Sequence, residues 1–157
     1  MNTPVNLHFQ LTERCNLACP GCYLPERAGR GQPAAIIEER VFRPLAEAGV
    51  RFATLTGGEP LVHPEPEAVV AAARRCFEQV LLVCNGTLLT VERFKALRDA
   101  GVTGIKVSLD SLRPEVKDRL RGKPGTLAKV RTNLEALADL SETERGGVEV
   151  GVITTVC

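Results

Sequence analysis

The chain has 157 residues, 44% of them hydrophobic and 25% charged, with a net charge of +1. That length fits a single domain with a real core, and the composition is that of an ordinary globular protein. The near-neutral balance gives no electrostatic case for nucleic acid or an anionic membrane, and no apolar run approaches the roughly 20 residues of a membrane span. The amino terminus lacks the basic-then-apolar layout of a signal peptide. Among six cysteines, Cys15, Cys19 and Cys22 cluster while Cys76, Cys84 and Cys157 are scattered. That is no secreted disulfide framework, and it points to a reducing cytoplasm.

Val5 to Leu11 alternates apolar and polar residues and predicts a first strand. His8 shares the strand period and reads as a packed or surface histidine. Next come the three cysteines, then a Gly/Pro-punctuated loop over 23–33 whose arginines read as solvated. Ile36 to Ala48 has helical spacing, with Gly49 as a C-cap and Pro44 predicting a kink or break. Phe52 to Leu55 is a short second strand running into Thr56-Gly57-Gly58-Glu59-Pro60. Pro64 and Pro66 open a helix from about Glu65 to Cys76, with Ala68, Val69, Ala72, Ala73 and Cys76 on its apolar side.

Val80 to Cys84 is a continuous apolar run, as in parallel strands buried on both faces, and Asn85-Gly86-Thr87 ends it. Thr90 caps a helix from Val91 to Ala100 that Gly101 closes. Gly104 to Asp110 is a fourth strand, followed by a short helix near Glu115 to Leu120 and a loop over 121–125. Thr126 caps the longest helix, with Leu127, Val130, Leu134 and Leu137 at helical spacing. A turn over 141–147 leads to a fifth strand, Val148 to Val156. Strands alternating with helices predict an α/β fold with right-handed crossovers, a parallel sheet, and helices over one face of a curved sheet.

The cysteine loop, Gly57-Gly58-Glu59-Pro60, Cys84-Asn85-Gly86 and Ser108-Leu109-Asp110 each follow a strand. Every unusual polar or glycine-rich feature is therefore at a strand's carboxyl end, the edge where parallel α/β folds bind ligands. The C-x3-C-x2-C spacing has no fourth cysteine or histidine beside it. A structural zinc site closes its tetrahedron with four protein ligands, and a [4Fe–4S] cluster normally takes four thiolates. Three thiolates leave one iron open to bind something that reacts. An incomplete zinc knuckle and a chance grouping are the rival readings of the motif alone.

The cysteine motif together with Thr56-Gly57-Gly58-Glu59-Pro60 resembles the radical S-adenosylmethionine (SAM) superfamily, over almost the whole chain. The resemblance implies a partial parallel (βα) barrel spanning 1–157 as the core domain. It further implies a [4Fe–4S] cluster on Cys15, Cys19 and Cys22, with SAM chelating the open iron through its amino and carboxylate groups. An electron from a reductant such as flavodoxin or ferredoxin then splits SAM, and the 5′-deoxyadenosyl radical takes hydrogen from a substrate. The Gly57-Gly58 backbone would bind the methionine ammonium, with Glu59 fixing the local geometry. Arg121, in Asp118-Arg119-Leu120-Arg121-Gly122, looks like the arginine that pairs with the SAM carboxylate, which a guanidinium matches bidentately.

The remaining candidates come from position. Tyr23 suits covering the cluster or the adenine, or is core. Glycines 57 and 58 let backbone approach a ligand. Ser108 and Asp110 share a face and suit a ribose hydroxyl or the methionine part. Asn85 binds ligand or only makes its turn. Cys76 reads as a buried small hydrophobe, and Cys84 and Cys157 have no assigned role.

Cores of this family usually have about six βα units, whereas five strands are predicted here, leaving a sheet edge unpaired. A truncated reading frame, pairing with another chain and a minimal version all fit that count. The run from Cys15 to Arg121 is most like the molybdenum-cofactor and SPASM-type enzymes, which modify peptides or make cofactors. A small activase for glycyl-radical enzymes, a non-catalytic iron–sulfur or SAM-binding module that needs a partner, and a zinc-binding structural protein are the alternatives.

Overall fold

In the computed structural model, which describes residues 6–22, 29 and 31–155, the apolar runs become five parallel strands in the order β1-β2-β3-β4-β5. They are β1 (Asn6–Gln10), β2 (Phe52–Thr56), β3 (Gln79–Cys84), β4 (Gly104–Ser108) and β5 (Glu149–Ile153). Each strand pairs with its sequence neighbour. Crossovers of one hand that always step in the same direction place every helix on the same side, and the sheet coils around its other, concave face. The sheet is not closed. Tyr23, Cys157 and most of the 23–33 loop lie outside the described residues.

The core lies between the convex face and the helices. Ala53, Leu55, Val80, Leu82, Ile105 and Val107 point into it and are 0–2% exposed. The helices that meet them are α3 (Pro66–Cys76), α4 (Val91–Asp99) and α6 (Thr126–Ala138), through Val69, Val70, Phe94, Leu97 and Val130. Phe42 stacks edge-on against Phe9 and Phe77, at centroid distances of 5.3 and 5.4 Å. Strand β3 departs from expectation. Leu81 and Val83 are only half-buried, because they face the concavity and not a second helix layer.

The first helix is split around Pro44 into α1 (Ala34–Ile37), a π turn (Glu38–Phe42) and α2 (Arg43–Glu47). A proline nitrogen cannot serve the carbonyl four residues back, and just ahead of it the Arg43 N–H reaches the Glu38 carbonyl, five residues back. Gly49, at φ +98°, closes the helix as expected. On α3, Ala68 proves exposed, and Val70 takes the core place expected of Ala68. Thr90 caps α4 by accepting from the Arg93 N–H.

Thr126 does not cap α6; Gly125 does, without a side-chain bond. Asp118, on α5 (Pro114–Arg121), satisfies the orphan donors by accepting from Gly125 N and Leu127 N at 2.6 and 2.8 Å. The expected turn over 141–147 contains a one-turn helix, α7 (Glu142–Arg145), held by a Ser141/Glu144 capping box. No helix among the described residues is long and apolar enough to cross a membrane.

Candidate functional site

At the carboxyl ends of the strands lies an open cavity of about 490 Å³. Cys15, Cys19, Cys22, Gly57, Gly58, Glu59, Asn85, Ser108, Asp110 and Arg121 all line it, so the structure brings together every sequence-selected position except Tyr23, which is not described.

The cysteine loop is fixed from three sides. Its stem continues the β1–β2 pairing beyond the strands: Gly58 N donates to Thr12 O and Glu59 N to Arg14 O, both at 2.8 Å. A Cβ on Gly57 would stand 2.6 Å from Thr12 O, and one on Gly58 2.6 Å from Glu13 O. The two glycines are therefore needed to admit the loop's own backbone, a role the sequence did not reveal. On the second side, Asn85 Nδ2 donates to Asn16 Oδ1 and Asn16 Nδ2 donates to Thr87 Oγ1, each at 2.8 Å. Asn85 Oδ1 in turn accepts from Thr87 N and Oγ1, at 2.9 and 2.6 Å. Asn85 thus makes its turn and also ties that turn to the loop. From the third side Arg121 O accepts from Ala18 N at 3.2 Å, and Gly122 packs directly on Ala18 O. Leu17, 3% exposed, anchors the loop in the apolar interior.

Cys15 and Cys19 are half-buried and Cys22 is exposed. Among the described residues no three His, Cys, Asp or Glu side chains converge closely enough to hold one metal ion. The three thiols are soft donors of the kind that iron–sulfur clusters take.

Glu59 is 1% exposed and links two strand ends, accepting from Leu61 N at 3.1 Å and Asn85 N at 2.7 Å. Burial raises its carboxyl to about 7, against the pull of those N–H groups and of Arg121. A folded value above the ordinary 4.5 gives stability that is fully present below pH 4.5 and lost as pH rises through about 7. Glu59→Gln cannot ionise, so its unfolding free energy is expected to stay flat where the wild type loses about 3 kcal/mol between pH 4.5 and 7. Urea unfolding at several pH values checks this; parallel curves for the two proteins would contradict it.

Beside Arg121 the wall carries a charged trio. Asp110 Oδ2 accepts from Arg121 Nη2 at 2.5 Å and from Lys117 Nζ at 3.2 Å, and Lys117 also donates to Ser108 O at 2.6 Å. Burial works to raise the Asp110 carboxyl, but the Arg121 and Lys117 charges outweigh it and hold the carboxyl low. Burial and then the Arg121 charge push the Lys117 ammonium down. Arg121 Nε is buried and has no hydrogen-bond partner among the described residues. Cys84 also lines the cavity, but burial pushes its thiol far up, away from the ligating thiolate.

Asn16, Thr87 and Lys117 were missed by sequence reasoning. Nothing local marks Asn16 or Thr87, and Lys117 looks like any cation on a short exposed helix.

The family model described as the Radical SAM superfamily matches residues 9–153. The chain is 38% identical over 130 residues to the PqqA peptide cyclase of Methylocella silvestris, covering 80% of this chain and 34% of that one. It is 37% identical over 154 residues to the GTP 3',8-cyclase of a Synechococcus strain, covering 91% and 44%. The crystal structure of Streptococcus suis SuiB bound to precursor peptide SuiA superposes with a TM-score of 0.74 at 20% identity, over 98% of this chain and 34% of SuiB. The chain thus spans less than half the length of these relatives.

Proposed function

The chain belongs to the radical SAM superfamily, and we propose that its residues 1–157 form the core domain of an enzyme that modifies a peptide or builds a cofactor, peptide modification being favoured. The family's cofactors are a [4Fe–4S] cluster and SAM. When bound, they supply a 5′-deoxyadenosyl radical that takes hydrogen from the substrate, once a reductant such as flavodoxin or ferredoxin has delivered an electron.

The observation that carries this reading is the union of three thiols with Gly57-Gly58-Glu59 and Arg121 in one cavity. Cys15, Cys19 and Cys22 hold the cluster. Carbonyls around Gly57 and Gly58 lie along the same rim and receive the methionine ammonium, while Glu59 and Asn85 keep that rim in place. Arg121, in the same lining, would pair with the methionine carboxylate, steadied by Asp110. Ser108 and Asp110, also in that lining, would take the ribose hydroxyls; Tyr23, expected to cover the adenine or the cluster, lies outside the described residues. Similarity to a peptide cyclase supports a peptide substrate.

Arg121→Met tests the assignment without touching a thiol. SAM affinity of the reconstituted protein, measured by calorimetry, is expected to fall about ten- to hundred-fold, the worth of a hydrogen bond to a charged group. The cluster's visible absorbance should be unchanged. Equal SAM affinity in the two proteins would remove Arg121 from the site.

A further inference from the structure

The concave face carries a second cavity, of about 440 Å³, that shares no lining residue with the first. It lies nearer the strands' amino ends. Lys106, Thr54 and Leu81 in it each sit two residues before Ser108, Thr56 and Val83 in the upper one, roughly 7 Å down the same strands.

Gly104 lines this cavity, and a second glycine, Gly151, lies on the neighbouring strand β5. Gly104 pairs with Leu81 and with Glu149, and Gly151 pairs with Lys106. A Cβ on Gly151 would stand 2.7 Å from Lys106 Nζ and 3.2 Å from its Cδ, so the missing side chain is what lets Lys106 lie across β5. A strand-interior glycine weakens its strand and marks a place of close approach. Lys106 is half-buried, yet its ammonium has no hydrogen bond or ion pair among the described residues. Glu149, the carboxylate lining the same cavity, is exposed and does not pair with it.

We infer that this hollow is a substrate subsite in which Lys106 binds the carboxylate of an aspartate or glutamate in the peptide being modified. The inference rests on the peptide reading of the upper site and adds a specificity to it. Charge decides the ligand class. Lys106 is the one cation among the described residues lining the cavity, where Asn6, Thr54, Gln79 and Thr103 supply neutral polar contacts. One ammonium matches one carboxylate, whereas a nucleoside triphosphate calls for several cations.

The probes are a blocked pentapeptide with a central glutamate, its glutamine twin, and GTP, titrated by calorimetry into reconstituted protein saturated with SAM. The glutamate peptide is expected to bind at least about ten-fold more tightly than its twin. Lys106→Met should erase that preference and Lys106→Arg should keep it. Gly151→Ala, which displaces the ammonium without removing it, should weaken it. Equal binding of the two peptides, a preference that survives Lys106→Met, or GTP binding that depends on Lys106 would each overturn the inference. SAM cleavage by the wild type without peptide reads the parent assignment separately: cleavage without peptide discrimination rejects the subsite alone.

Discussion

Alanine at Cys15, Cys19 or Cys22 is expected to leave a protein that folds but retains neither cluster nor SAM cleavage. Three thiolates on four irons already leave one iron without a protein ligand, and a second open iron would have to be held by solvent. No other described cysteine can step in. Cys84 is 2% exposed, and burial, together with the nearby Glu59 charge, keeps its thiol protonated. Cys76 sits at the end of α3, outside the cavity lining, and burial raises its thiol as well. Iron and sulfide per chain after anaerobic reconstitution should therefore drop to background in each of the three variants and stay at the wild-type level in Cys76→Ala. Unaltered iron in Cys19→Ala would mean that the metal sits elsewhere.

Gly58→Val should act on the same cluster without removing a ligand. A Cβ at this position meets the carbonyl oxygens of Arg14 and Glu13, which are backbone atoms and cannot rotate away. The stem of the cysteine loop must then leave the end of β2, giving up the bonds from Gly58 N to Thr12 O and from Glu59 N to Arg14 O. Overpacking and two lost backbone hydrogen bonds together imply a loss of about 3 kcal/mol or more, with cluster loading falling alongside. Gly21→Ala is the control: nothing lies within 4 Å of its added Cβ, so a change within about 0.5 kcal/mol is expected. Denaturant unfolding and iron content read both variants, and a Gly58→Val protein with wild-type stability and loading would refute the docking role.

Much of this architecture was legible because it is written in local pattern. Alternation in β1, the apolar run of β3 and helical spacing between the strands are short-range signals, and strand order follows once crossovers share one hand. The convergence of the cysteine loop, Gly57-Gly58-Glu59, Asn85 and Ser108-Asp110 was legible for the same reason, since carboxyl ends of parallel strands share an edge. The Ser141/Glu144 capping box is also present in the sequence, within what reads as a turn.

What could not be read depends on partners distant in sequence. The Asp118 cap on α6 reaches nine residues forward, to Leu127 N, in place of the Thr126 beside it. Gly57 and Gly58 look like access for a ligand until the loop from Thr12 to Arg14 is seen against them. Lys117 is fully buried because the end of β4 and Asp110 fold over it, which no helical period announces. Leu81 and Val83 read as buried on both faces, but hydropathy cannot say whether a second layer exists to cover them.

The assay that bears most directly on the radical SAM assignment is 5′-deoxyadenosine formation by the anaerobically reconstituted chain with dithionite and SAM, run beside Cys22→Ala. Product from the wild type and none from the variant is the predicted result. A reducible cluster that yields no 5′-deoxyadenosine would contradict the catalytic reading and leave a SAM-binding module, and zinc in place of iron would contradict the site itself.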